Sequence, residues 1–188
     1  HSDSFRTVFG LRHTKDDVYS AVTNFYGRSG TDILETDGNK VTGRFVVEKD
    51  IDDNTMVYGS FTRGYKPGGS NLTYGREDEV AQIVVLPTFQ EEIVDAFEVG
   101  LKTDLADGRA RLNAAAFLYN YEGLQYQATD PEVFEGGVGN IPDSEIYGAE
   151  LELSTFLSDS VILDLRMSWL DTEITADHLA LDNVESEA

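Results

Sequence analysis

Phe97-Glu98-Val99-Gly100-Leu101-Lys102-Thr103-Asp104-Leu105-Ala106-Asp107-Gly108-Arg109-Ala110-Arg111-Leu112-Asn113 is the stretch on which the fold turns. Up to Leu105 the residues alternate. Phe97, Val99, Leu101 and Leu105 fall on one side of an extended chain, and Glu98 and Lys102 on the other, because successive strand residues point to opposite faces. Ala106-Asp107-Gly108 interrupts the pattern with residues that tolerate left-handed backbone angles or bond their own main chain. An extended pattern then resumes. The spacing predicts strands over 92–105 and 109–123 joined in a hairpin.

Outward from this hairpin the same alternation recurs. Phe45 and Val47 oppose Arg44 and Glu48. Tyr147, Ala149, Leu151 and Leu153 oppose Glu150 and Glu152, and Leu163, Leu165, Met167 and Trp169 oppose Asp164, Arg166 and Ser168. Strands are therefore predicted at 4–14, 41–50, 55–65, 145–156 and 160–172 as well, with 17–26 extending the first. Three connections are short and rich in turn formers: Asp50-Ile51-Asp52-Asp53-Asn54, Ala106-Asp107-Gly108 and Ser158-Asp159-Ser160. The connections between them are long, at 27–40, 66–91 and 124–144. Such grading belongs to membrane barrels, with short periplasmic turns and long outer loops. The fold class read from this is all-β, with antiparallel up-and-down strands forming about seven strands of a larger transmembrane β-barrel. The competing reading is a soluble antiparallel sheet with one face on a core. Seven strands in series with graded connections weigh against it.

Composition narrows the function. With 35 acidic and 14 basic residues the formal charge is -21, which excludes the clustered Lys and Arg that phosphate binding needs. There is no cysteine, hence no disulfide framework or thiol nucleophile. The longest stretch free of charge, Val80 to Gln90, has 11 residues. That is too short for a membrane helix of roughly 20, yet enough for a membrane strand of about 9–11. Catalytic patterns are missing: His1, His13 and His178 are scattered, and Glu91-Glu92 is ordinary at this acidity. Asp50 to Asn54 begins like a calcium loop but lacks the glycine at its sixth place and the glutamate at its twelfth. Gly68-Gly69 and Gly136-Gly137-Val138-Gly139 lack the lysine and helix of a phosphate loop. The expectation is a protein that is not an enzyme and whose described pattern holds no cofactor.

Three segments, in order, resemble the barrel of TonB-dependent outer-membrane receptors. Met56 to Gly69, with Arg63-Gly64-Tyr65-Lys66-Pro67-Gly68-Gly69, is similar to a strand and rim of that family. Phe97 to Asp104 followed by Arg111 to Tyr121, with Gln125 just beyond, is similar to its next two strands. Tyr147-Gly148-Ala149-Glu150-Leu151-Glu152-Leu153 is similar to a further one, and Phe9-Gly10-Leu11-Arg12 is a weaker match. The resemblance implies an outer-membrane receptor for TonB-energised uptake of a scarce ligand such as a ferric siderophore. It also implies membrane lipid, the receptor's own plug domain and TonB as partners. No plug or TonB-contacting segment is recognisable, and the chain ends in alanine where such barrels end in an aromatic residue. Residues 1–188 are thus expected to be a fragment of barrel wall, unable to close alone against the roughly 22 strands of plugged transporters.

Charge on a lipid face at mid-bilayer costs about 2–4 kcal/mol for Arg or Lys. Arg44, Glu48, Glu98, Lys102, Glu150, Glu152 and Arg166 are therefore expected to face the lumen, in ladders that satisfy one another or meet a plug. Gly59, Gly64, Gly100 and Gly148 are expected to allow curvature. Tyr58, Tyr65, Tyr119, Tyr121, Tyr147 and Trp169 suit interfacial girdles, although alternation puts Tyr119 and Tyr121 on the side of Asn113. For ligand contact the long loops offer Tyr74, Arg76, Tyr126 and Phe134. Two other functions compete: a passive or structural outer-membrane barrel, and a soluble acidic β-sandwich that binds a partner.

Overall fold

The computed structural model describes residues 5–23, 31–71, 86–129 and 136–175. Among these described residues nine strands run in chain order: β1 Phe5–Thr23, β2 Thr31–Asp50, β3 Thr55–Lys66, β4 Gly69–Ser70, β5 Thr88–Phe89, β6 Glu92–Leu105, β7 Ala110–Thr129, β8 Gly136–Ser158 and β9 Val161–Ile174. Seven of them form one antiparallel sheet in the order β1-β2-β3-β6-β7-β8-β9. The tiny β4–β5 pair stands apart. Each expected strand is present, every neighbour in the sheet is its neighbour in the chain once β4 and β5 are set aside, and the sheet is open at β1 and β9.

The three short turns are where the turn chemistry puts them. Between β2 and β3 the Ile51 N–H donates to Thr55 C=O at 2.8 Å, and the Asn54 N–H donates to the Asp52 carboxylate at 2.9 Å. Between β6 and β7, Ala106 (φ 52), Asp107 (φ 54) and Gly108 (φ 81) all take left-handed angles, and Arg109 N–H closes on Ala106 C=O at 3.1 Å. Neighbouring turns are stitched together: Asp104 N–H donates to Asn54 C=O, and Phe156 N–H to Arg109 C=O, both at 2.9 Å.

Two of the three long connections are mostly strand. β2 begins at Thr31, within the expected 27–40 loop, and β1 pairs with it from Phe5↔Lys49 to Thr23↔Thr31. β7 runs to Thr129 and β8 starts at Gly136, within the expected 124–144 loop. Residues 24–26 of the expected first-strand extension lie outside the described residues. The sequence missed these extensions because they are polar on both faces, as with Glu35 and Asp37 on one face of β2 and Thr36 and Lys40 on the other. Main-chain pairing needs no apolar side chain, so no alternation announces it.

Directly paired residues share a face, so the register sorts the sheet. The row Phe9–Phe45–Phe61–Phe97–Leu118–Tyr147 lies on one face. On that face β6 shows Phe97, Val99, Leu101, Thr103 and Leu105. β7 shows Ala110, Leu112, Ala114, Ala116 and Leu118, and β8 shows Tyr147, Ala149, Leu151, Leu153 and Thr155. Each run is uncharged over about nine residues, the length a tilted membrane strand needs. Away from the short turns each run stops at a polar residue: Arg63, Asp95, Asn120, Glu145 or Asp171 on β3 and β6–β9 respectively. Aromatic pairs stand just inside that border: Phe61–Phe97 with ring centroids 5.0 Å apart, and Tyr147–Trp169 at 5.7 Å. The Tyr147 hydroxyl reaches up to the Asp171 carboxylate at 2.9 Å, keeping its ring in the apolar band and its polar tip at the border.

Among the described residues no second layer covers this face. Among the described apolar residues only Val46 and Ile93 are buried, while Phe9, Val99, Met167 and Trp169 are each 58–67 % exposed. A water-soluble sheet of this size would collapse onto a core; among its described residues this one has none.

Candidate functional site

The opposite face carries the charges. Met56, Lys102, Asn113, Glu152 and Arg166 make one cross-strand row, and Glu48, Tyr58, Gly100, Ala115 and Glu150 the next. Arg44 pairs with Thr62, and Glu98 with Ser60 and Phe117. All seven charges singled out in the sequence thus share one face. Arg6, which sequence reasoning missed, joins them: its guanidinium bonds Glu48 at 3.0 Å and Asp50 at 2.7 Å. The Tyr58 hydroxyl donates to Glu98 at 2.6 Å, and the Lys102 ammonium sits 5.7 Å from the Tyr58 ring centre, a distance at which the ring face attracts a cation. Asn113 donates to Glu152 at 3.4 Å, and Arg166 lies 3.7 Å from the same carboxylate. Nearer the short turns Arg111 forks onto Asp104 at 2.7 and 3.0 Å. Arg44 stands between Gly10 and Thr62, and Glu150 between Ala115 and Ser168, small neighbours that leave both heads open to a further surface.

Aromatic residues on this face cover glycines. The Tyr58 ring lies where a Cβ on Gly100 would be, at 2.4 Å, and the Phe117 ring crowds Gly148 at 2.8 Å. Tyr58, Tyr119 and Tyr121 therefore belong to the charged face rather than to a girdle, and Tyr147 and Trp169 are the girdle residues on the apolar side. Tyr65 sits beyond the apolar band against Gly38. Burial, with the Asp16 carboxyl nearby, pushes its phenol up to about 12.

Beyond the apolar band, the two ends of the 66–91 connection form a neck held by side-chain amides. Buried Asn71 bonds Val138 reciprocally: its Nδ2 donates to the carbonyl at 3.0 Å, and the Val138 N–H returns a bond to Oδ1 at 2.8 Å. Asn140 does the same to Gln90, at 2.7 Å and 3.0 Å, and also donates to Gly123 C=O at 2.7 Å. Gln125 Nε2 donates to Pro67 C=O at 2.9 Å and Gln90 C=O at 3.0 Å, and its N–H donates to Glu92 at 2.7 Å. Gly123, at φ +68 and opposite Pro142, lets β7 approach this neck: a Cβ there would lie 2.5 Å from Glu91 C=O. Isolated Asn and Gln residues in polar stretches carry no periodic signal, which is why only Gln125 drew notice in the sequence.

The expected ligand contacts divide. Tyr74, Arg76 and Phe134 lie outside the described residues. Tyr126 is not in a loop; it is a strand residue of β7, paired with Gly139, whose position its ring overlies at about 3.1 Å. Among the described residues no group of His, Asp and Glu is placed to hold a metal, and no helix is long and apolar enough to cross a membrane.

A single-layer antiparallel sheet with one lipid-length apolar face and one charged face is the wall of a membrane β-barrel, and residues 2–185 match the TonB dependent receptor-like β-barrel family. The chain belongs to that family, and its place is the outer membrane. It is 27 % identical over 168 residues to a probable TonB-dependent siderophore receptor, PiuA, of Acinetobacter baumannii, covering 88 % of this chain and 21 % of that protein. The solved structure of that siderophore receptor superposes with a TM-score of 0.67 at 22 % identity, over 92 % of this chain and 24 % of that one. The ferric yersiniabactin uptake receptor FyuA of Yersinia pestis gives 0.67 at 20 %, over 92 % and 25 %. The copper transporter OprC gives 0.73 at 14 %, over 92 % and 26 %. The chain thus spans about a quarter of the length of the relatives it matches. These relatives are receptors and transporters, not enzymes.

Proposed function

We propose that the chain is a section of the barrel wall of a receptor that imports a scarce ligand, of the ferric siderophore class, with energy relayed through TonB. What carries the reading is the coreless sheet with its nine-residue apolar band in a chain matched to the receptor barrel over residues 2–185. The named siderophore receptor among its relatives supports the ligand class. Iron would be cargo here, not a resident cofactor. In this reading the short turns face the periplasm and the β1–β2 and β7–β8 hairpins face outward. The face of Arg44, Glu48, Glu98, Lys102, Glu150, Glu152 and Arg166 lines the lumen, where Arg44 and Glu150 meet the plug. The plug and the TonB-contacting segment belong to the receptor outside this chain. Tyr74, Arg76, Tyr126 and Phe134 remain the proposed ligand contacts.

The test is uptake of labelled iron from a panel of siderophores by cells carrying the intact receptor, with and without TonB. Saturable uptake of at least one siderophore, lost without TonB, is the expected result. Flux that is unsaturable and indifferent to TonB would instead identify a passive pore.

A further inference from the structure

We propose that the outer part of this segment is two bodies, joined by a compliant seam between β2 and β3, and that opening occurs there. The first body is the neck of the 66–91 connection fastened to the β7–β8 hairpin. Asn71 on Val138 and Asn140 on Gln90 are both reciprocal pairs, in which a side-chain amide copies the donor and acceptor of a strand. Gln125 bridges both ends of the neck, and Gly123 lets the hairpin touch it. Breaking this attachment means parting several hydrogen bonds together, around a buried Asn71.

The second body is the β1–β2 hairpin. Its ladder continues to Thr23↔Thr31, whereas pairing of β2 with β3 stops at Gly43↔Arg63. Above Gly43, β2 has no strand partner on that side among the described residues. The seam is crossed by the Lys40–Glu91 ion pair, by the Ser70 hydroxyl on Ser20, and by Tyr65 lying against Gly38. The Tyr65 phenol faces the Asp16 carboxylate there. A partly exposed ion pair holds weakly, and a single bond between two hydroxyls adds only modestly to it. Motion in this outer part therefore swings the β1–β2 hairpin away from the neck, while the neck and the β7–β8 hairpin travel as one.

The experiment uses the intact receptor in lipid, spin-labelled in two pairs at exposed positions. Tyr19 with Leu86 spans the seam; Leu86 with Gln127 spans the clasp. A distance distribution several-fold broader across the seam than across the clasp is expected. Asn71→Ala with Asn140→Ala should broaden the clasp pair. Equal widths, or a broader clasp, overturn the proposal. A disulfide between Ser20→Cys and Ser70→Cys should narrow the seam pair and lower iron-siderophore uptake at least tenfold, with reductant restoring it. Unchanged uptake in the oxidised variant also overturns the proposal. The uptake arm rests on the transport reading, and the label distances do not. Absence of uptake by the unmodified receptor would count against that reading alone.

Discussion

Gly148 and Gly10 both lie on the charged face, yet they answer to different constraints. A Cβ on Gly148 would meet the Trp169 carbonyl at 2.4 Å and the Phe117 ring at 2.8 Å; on Gly10 it would meet nothing within 4 Å. Gly148→Ala should destabilise the barrel by about 1–3 kcal/mol through overpacking, and Gly10→Ala by far less, as read from denaturant unfolding of the receptor in lipid. At the β6–β7 turn the non-glycine residues Ala106 and Asp107 hold left-handed angles. Ala106→Gly should raise stability in the same assay by up to about 1 kcal/mol, the usual size of that strain. Tyr65 adds a pH dependence. Its phenol is held neutral up to about 12 against an ordinary value of 10.0. Its contribution is therefore complete below pH 10 and fades as pH rises from 10 toward 12. Difference titration against Tyr65→Phe, followed by phenolate absorbance, should show ionisation near 12 rather than near 10.

On the scale of a strand, β7 sets the sharpest contrast. Ala114 and Ala115 are chemically identical neighbours, but Ala114 pairs with Leu101 and Leu151 on the apolar face, and Ala115 with Gly100 and Glu150 on the charged one. Ala114 is central in the uncharged run from Ala110 to Leu118. Ala114→Arg should cost about 2–4 kcal/mol, the depth-dependent penalty for a cation at mid-bilayer. Ala115→Arg, beside Glu150, should cost much less. If unfolding in lipid gave equal losses, the assignment of faces would be wrong. The seven strands of the sheet were legible because alternation and lipid depth act on the same residues. Leu101 and Lys102 announce opposite faces without any tertiary knowledge. The extension of β1 over 17–23 was legible, whereas those of β2, β7 and β8 were not. Beyond the band both faces are wet, so pairing continues under residues such as Glu35 and Lys40 with no hydrophobic period to mark it.

For the molecule as a whole, the register explains tilt. From the row through Phe45, Phe61 and Phe97, the β2–β3 turn begins after the pair Asp50↔Met56, and the β6–β7 turn only after Leu105↔Ala110, three residues further down. Short turns that share one membrane surface must then step across the strands, which is the shear of a closed barrel. The charged face was legible as a set, since all seven charges named from alternation share it. Three of the four expected ligand contacts lie outside the described residues; the amide-held neck was not legible, because it depends on contacts such as Asn71 with Val138 that lie 67 residues apart.

The missing core has a consequence for descent. A packed interior demands complementary shapes, so its side chains constrain one another and change slowly. The apolar face of this sheet meets fluid acyl chains, which conform to whatever outline they are offered. Selection there is for greasiness at a given depth, and Leu, Val, Ala or Phe will serve almost equally. Drift can then run far while the wall keeps its form, which accounts for superpositions of 0.67 to 0.73 at identities of 14 to 22 %.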